Sequence, residues 1–326
     1  MEQESSFESR IDLSEIKIAT EKIREEIKKV IVGQNVTIDL ILTSILADGH
    51  LLLEGVPGVA KTVLAKLVAK CISAPFCRVQ FTPDLMPSDI IGASIFNEKL
   101  ADFEFKKGPI FTNIALVDEI NRAPAKTQAA LFEVMAERQI TVDGNTRKLS
   151  RPFTVIATQN PIEQEGTYRL PEAQLDRFLF KIEMDYPSLQ EEIQIVKSRN
   201  TMTNEDETAK INPVVSAEEI IKFQELAHQV YVEDSLLEYI AKIVVSTRTN
   251  AFIYLGASPR ASIAILNAAK AYSALYGKDF ITPDDIKYIA PYVLKHRIIL
   301  NPEREMEGMN TAVVARQIIE SIEVPR

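Results

Sequence analysis

The sequence predicts a chain in two parts: an α/β half built on a parallel sheet, then a smaller all-α half. Three observations carry this. Five short apolar runs lie in the first half, at 51–53, 79–81, 114–117, 154–157 and 178–182. They lack strict alternation, as strands buried on both faces do, and helical patterns between them suit crossover connections. After Pro187 the apolar runs give way to helical spacing and helix-capping residues.

The elements follow in order. Met1 to Ser9 is polar and acidic, with no apolar stretch of the kind a secretory signal needs. Ile16, Ile23, Ile27 and Val30 recur at helical spacing, so a helix is expected over about 11–31. Gly33 interrupts it, and a second apolar-faced helix runs through Ile38, Leu42, Ile45 and Leu46. A further helix follows the first strand through Leu64, Leu67 and Val68. Residues 125–138 read as a helix with Leu131, Val134 and Met135 on one face. From 139 to 153 a β-hairpin is expected, because Asp143-Gly144 is a strong turn dipeptide between extended segments. The stretch 197–213 is polar and reads as a surface loop, with almost nothing to bury at 201–208. Beyond it, Ser216 and Glu219 have capping-box spacing, and Thr282-Pro283 reads as an N-cap with proline at the first helical position.

Composition bounds the function. A chain of 326 residues suggests about two domains, placed here at 1–187 and 188–326. With 46% hydrophobic and 25% charged residues it is ordinary globular protein. No apolar run approaches the roughly 18 residues of a membrane helix. Two cysteines, Cys71 and Cys77, and three scattered histidines exclude a disulfide framework and argue against zinc. A net charge of −9 argues against general attraction to nucleic acid. A soluble, cytoplasmic protein is expected.

The strongest local signal is Gly55-Val56-Pro57-Gly58-Val59-Ala60-Lys61-Thr62, between a strand and a helix. Small residues let several backbone N–H groups turn inward around an anion, and the helix N-terminus adds its positive end. Lys61 supplies charge to the β and γ phosphates, and the Thr62 hydroxyl suits Mg²⁺. Ala60 stands where this pattern usually has glycine; a methyl is tolerated there provided φ stays negative. The pattern predicts a nucleotide site.

Asp118-Glu119 ends the strand at 114–117, and Thr158-Gln159-Asn160 ends the strand at 154–157. In a parallel sheet these carboxyl ends open on the same crevice as the phosphate loop. Asp118 suits Mg²⁺ through water, and Glu119 suits polarising an attacking water. Asn160 suits holding that water, since an amide donates and accepts at once.

Together these segments resemble the AAA+ ATPases, and within them the MoxR family. Asp118-Glu119-Ile120-Asn121-Arg122-Ala123-Pro124, Leu170 through Phe178 (LPEAQLDRF) and Gly256-Ala257-Ser258-Pro259-Arg260-Ala261 extend the match. The resemblance implies a P-loop NTPase core with a five-stranded sheet ordered 5-1-4-3-2 and a helical lid. It implies ATP and Mg²⁺ as cofactors, with Lys61 and Thr62 as Walker A, Asp118 and Glu119 as Walker B, and Asn160 as sensor 1. Arg177 matches the finger that reaches a neighbouring subunit's nucleotide, and Arg260 matches sensor 2. Arg169, where the family often has proline, places a second arginine near the first, and leaves Arg169 as the alternative residue to reach the neighbouring nucleotide. Gly33-Gln34 matches the segment near the adenine. Residues 81–111 resemble the helix-2 insert of this clade, and 140–153 the hairpin before sensor 1.

The expected activity is ATP hydrolysis in a homo-oligomeric ring, a hexamer by the resemblance. By resemblance it drives chaperone-like maturation or cofactor insertion in protein clients, with a von Willebrand factor A domain protein as a partner. Two alternatives stand beside it. One is a nucleic-acid motor using Arg147, Lys148 and Arg151 on the hairpin; the net charge and the absence of a basic, aromatic-lined stripe argue against nucleic acid. The other is a nucleotide-gated scaffold, opposed by the presence of Glu119.

Overall fold

The computed structural model describes residues 11–161, 167–201 and 210–325. The sequence readings on Met1 to Ser9 and on most of 201–208 lie outside these residues.

Five strands, β1 (Leu51–Gly55), β2 (Phe76–Gln80), β3 (Ile114–Asp118), β4 (Thr154–Gln159) and β5 (Phe180–Met184), form one parallel sheet. Its order is β2-β3-β4-β1-β5, the expected 5-1-4-3-2 read from the other edge. Alternate side chains point to opposite faces of a strand, and here both faces are covered. Leu51, Leu53, Leu116 and Ile156 pack with helices Ser14–Lys28, Asn35–Leu46 and Lys61–Cys71. Leu52, Ala115, Val117, Val155 and Ala157 pack on the other side with Leu131, Phe132 and Met135 of helix Ala125–Glu137. That double burial is why the strands read as continuous apolar runs.

Two hairpins project from this core. The insert contributes a short helix, Pro87–Ile91, and an antiparallel pair, Gly92–Asn97 with Asp102–Lys107. The second hairpin pairs Gln139–Val142 with Asn145–Lys148, and Asp143 and Gly144 both take positive φ (52° and 74°), as a tight two-residue turn requires. The hairpins touch: the Ser94 hydroxyl donates to the Asp143 carboxylate, and the Arg147 guanidinium lies 3.9 Å over the Phe105 ring.

After β5, helix Leu189–Thr201 enters the region read as loop from 197 onward. Polarity there reports exposure, and without glycine or proline the helix has no reason to stop earlier. The lid is helical, with Ala217–His228, Asp234–Thr249, Pro259–Leu275, Pro283–Leu294 and Thr311–Ser321 as its main elements. Both expected caps are formed. Glu219 N donates to Ser216 Oγ at 3.2 Å while Ser216 N donates to the Glu219 carboxylate at 2.7 Å, and Thr282 and Asp285 repeat the exchange. The lid also holds a short ribbon, Ile253–Leu255 with Ile299–Leu300, that the apolar pattern does not indicate.

Candidate functional site

The carboxyl ends of β1, β3 and β4 lie side by side, so their tips share one edge of the sheet. β1 ends in Gly55, where a Cβ would come within 2.7 Å of the Met184 carbonyl on β5. The loop then turns through Gly58 at φ +90°, with open space where its side chain would be, and enters helix Lys61–Cys71. Ala60, the residue before that helix, has φ +62°. The expectation of negative φ at Ala60 is therefore wrong: the loop needs a second left-handed residue to bring its amides round, and alanine carries the strain that glycine would avoid.

Lys61 Nζ donates to the carbonyls of Gly55 and Val56, which holds the ammonium across the loop. Thr62 Oγ1 donates to Asp118 at 3.3 Å. Asp118 is buried and also accepts from Thr158 Oγ1 at 3.1 Å and from Arg78 Nε at 2.6 Å. Its carboxylate is thus gripped from the loop, β4 and β2. Glu119 follows at φ +57°, its amide donating to Thr158 Oγ1 at 3.0 Å and its carboxylate pairing with Arg122 at 3.1 Å. Thr158 therefore fixes both acids. Asn160 is buried just past the end of β4, and the next residue, Pro161, lines a cavity of about 260 Å³ with Gly55 and Val56.

A cavity of about 350 Å³ lies beside the phosphate loop, lined by Ile31, Gln34, Val59, Ala60, Tyr186 and Glu191 among others. Gln34 Nε2 donates to the Val59 carbonyl at 3.0 Å, and Gln34 Oε1 is buried with no hydrogen-bond partner. Gly33 stands at φ +73°, where a Cβ would collide with the Glu191 carboxylate.

The arginines form a second group. Arg177 Nη1 donates to the Phe132 carbonyl at 3.1 Å, with the side chain part-buried. Arg169 is 92% exposed and 3.9 Å from Glu172. Arg260 opens helix Pro259–Leu275, is mostly exposed, and lies 3.8 Å from Asp176. The structure thus brings Lys61, Thr62, Asp118 and Glu119 together, and gathers Arg260 with the Arg177 segment around Asp176. Arg78 is the functional candidate that sequence reasoning misses. Its signal is slight: Arg78 and Gln80 alternate on β2, two polar side chains on one face of a sheet strand.

Residues 50–180 match the model of the ATPase family associated with various cellular activities (AAA), and 245–322 match the AAA lid domain. The chain is 40% identical to the chaperone MoxR1 of Mycobacterium tuberculosis, over 92% of this chain and 81% of that one. The chain belongs to the MoxR family of AAA+ ATPases. The YeaC protein of Bacillus subtilis is 49% identical over 93% of this chain and 94% of its own. A crystal structure from Cytophaga hutchinsonii has a TM-score of 0.87 at 40% identity, covering 96% of this chain and 98% of that chain.

For a MoxR-family member the residues present fit Mg²⁺ and ATP. Thr62 and Asp118 offer hard oxygen ligands side by side, and the metal prefers one or two such groups with retained waters. Among the described residues no cluster of three or more His, Cys, Asp or Glu forms a separate metal cage. The unpartnered Gln34 Oε1 suits a donor on a base. No helix among the described residues is long and apolar enough to cross a membrane.

Proposed function

We propose that this ATPase hydrolyses ATP to ADP and phosphate at a site completed by a neighbouring copy, and that the energy remodels protein clients. The observation that carries the reading is the joint hold on Asp118 and Glu119 by Thr158, directly opposite the Thr62 hydroxyl. In this reading the loop from Gly55 to Thr62 holds the phosphates, and Gly33 and Gln34 border the base. Thr62 and Asp118 hold Mg²⁺, which supplies positive charge to the phosphate oxygens when bound. Lys61 neutralises the β and γ oxygens, Glu119 draws a proton from water, and Asn160 orients that water toward the γ-phosphorus.

Arg177 reaches the neighbouring nucleotide as a finger, and Arg260, held near Asp176, serves as the sensor 2 arginine. A finger is worth about 10³–10⁵ in rate, so an isolated subunit is expected to be nearly inactive. We place the core at 1–187 and the lid at 188–326, and take the assembly to be a hexameric ring in the cytoplasm. The chaperone MoxR1 relative supports action on protein clients; client maturation or cofactor insertion alongside a von Willebrand factor A domain partner is the form of that action we propose.

The nucleic-acid alternative loses ground in the hairpin itself. Arg147 is engaged by Phe105, and Arg151 lies toward Asp48 and Gln224. The test is turnover against protein concentration, with Arg177→Ala and Glu119→Gln beside the parent. Turnover is expected to fall away on dilution, to collapse in Arg177→Ala, and to leave ATP bound but uncleaved in Glu119→Gln. Undiminished turnover by a dilute monomer, indifferent to Arg177→Ala, would sink the shared-site reading. Steeply salt-dependent DNA binding with stimulated turnover would favour the motor.

A further inference from the structure

Arg297, between helix Pro283–Leu294 and the lid ribbon, is only 3% exposed, yet it does not serve the lid alone. All five guanidinium N–H groups are used. Nε donates to the Asp176 carboxylate at 2.7 Å, Nη2 to the carbonyls of Asp176 (3.1 Å) and Phe178 (2.6 Å), and Nη1 to that of Leu179 (3.1 Å). Only one bond, from Nη1 to Val293 at 2.6 Å, stays within the lid. The neighbouring His296 Nε2 donates to the same Phe178 carbonyl at 2.9 Å. The lid therefore grips the backbone on both sides of Arg177.

A buried guanidinium is a poor choice for stability alone. Desolvating it is expensive, and apolar residues of similar volume commonly serve as well. What it supplies is geometry: a planar fork that fixes several oxygens at once. The oxygens fixed here belong to the segment that carries Arg177. The same Asp176 carboxylate also accepts from Ser258 Oγ at 3.2 Å and lies 3.8 Å from Arg260.

We infer that Arg297 is a positioning residue for Arg177, fastening the finger segment to the lid so that the lid of one subunit sets the aim of the arginine serving the next. The inference rests on reading Arg177 as a finger acting on a neighbouring nucleotide. Asp176 faces both Arg297 and Arg260, so whatever draws Arg260 away from Asp176 alters the clamp on Arg177.

The test uses full-length chains mixed in pairs. An Arg177→Ala chain keeps an intact nucleotide site and has no finger; a Glu119→Gln chain keeps the finger and cannot hydrolyse. Their mixture is expected to regain turnover that neither shows alone. Absence of that recovery overturns the finger reading itself. Arg297→Lys, which keeps the charge and loses the fork, is then placed on one chain or the other. On the finger-donating chain it is expected to reduce the recovered turnover by about 100-fold, the scale of an ångström's misplacement. The loss is expected to be at least about tenfold smaller on the finger-less chain, with ATP affinity alike in both mixtures. Equal losses from the two placements, or a greater loss on the finger-less chain, overturn the inference. Should Arg297→Lys fail to fold, Asp176→Asn is placed on the same two chains and judged by the same asymmetry.

Discussion

Gln34 and Val59 are joined by a 3.0 Å hydrogen bond from the side-chain amide to the backbone carbonyl, which leaves Gln34 Oε1 buried with nothing donating to it. An adenine amino group donates to such an oxygen, whereas a guanine carbonyl would set acceptor against acceptor. The chain is expected to bind ATP about tenfold more tightly than GTP, a difference of roughly 1.4 kcal/mol. Gln34→Leu is expected to shrink that ratio by weakening ATP while leaving GTP no weaker. Competition binding with the two nucleotides checks it; an unchanged ratio would show that Gln34 does not read the base.

Ala60 at φ +62° predicts that Ala60→Gly raises stability. Removing the methyl relieves about 1 kcal/mol of left-handed strain, partly offset by the greater freedom of glycine in the unfolded chain. A gain of about 1–2 °C in the thermal midpoint is expected. A lower midpoint would contradict the left-handed geometry at Ala60.

His50 predicts acid sensitivity. It is fully buried, its Nδ1 accepts from the Val155 amide at 3.0 Å, and its Nε2–H donates to the Met135 carbonyl at 3.1 Å. Burial, and then the charge of Arg138, lower its pKa from 6.5 to about 4. The unfolded chain thus takes up this proton below about pH 6.5 and the folded chain only near 4. The contribution is complete above pH 6.5 and is lost as pH falls through 4. Burial likewise pushes His296 well below 6.5, in the same sense. From His50 alone, stability should drop by about 2 kcal/mol between pH 7.5 and 5. Urea midpoints at the two pH values measure it, and His50→Gln should start lower and fall less.

Arg78 predicts a metal effect. Its Nε donates to Asp118 at 2.6 Å, so a cation already faces the carboxylate assigned to Mg²⁺. Arg78→Gln should lower the Mg²⁺ concentration for half-maximal nucleotide binding by about two- to fivefold, as fits a partly exposed ion pair. A higher requirement would mean that Arg78 aids the metal rather than competing with it.

The strands were legible because burial on both faces writes them as apolar runs, and the order of the sheet came through the motif resemblance. Lys61, Thr62, Asp118 and Glu119 were legible for a similar reason: each stands at the tip of a strand or the start of a helix. Ala60 was misjudged because spacing reports residue type and not φ. Arg78 and Arg297 were invisible, since an arginine's partners are chosen by tertiary approach: β2 beside β3 for one, the lid against 176–179 for the other. The helix reaching Thr201 was hidden by polarity, which records solvent and not backbone.

The contact between the hairpins has a mechanical consequence. With Ser94 bonded to Asp143 and Arg147 seated on Phe105, neither finger-like projection swings without the other. A pull on either tip is shared, and one covalent path inward from the second hairpin is helix Ala125–Glu137, whose far end adjoins the turn at Ile120–Arg122 and so Glu119. The two projections act as one lever, and one of its roots stands beside Glu119.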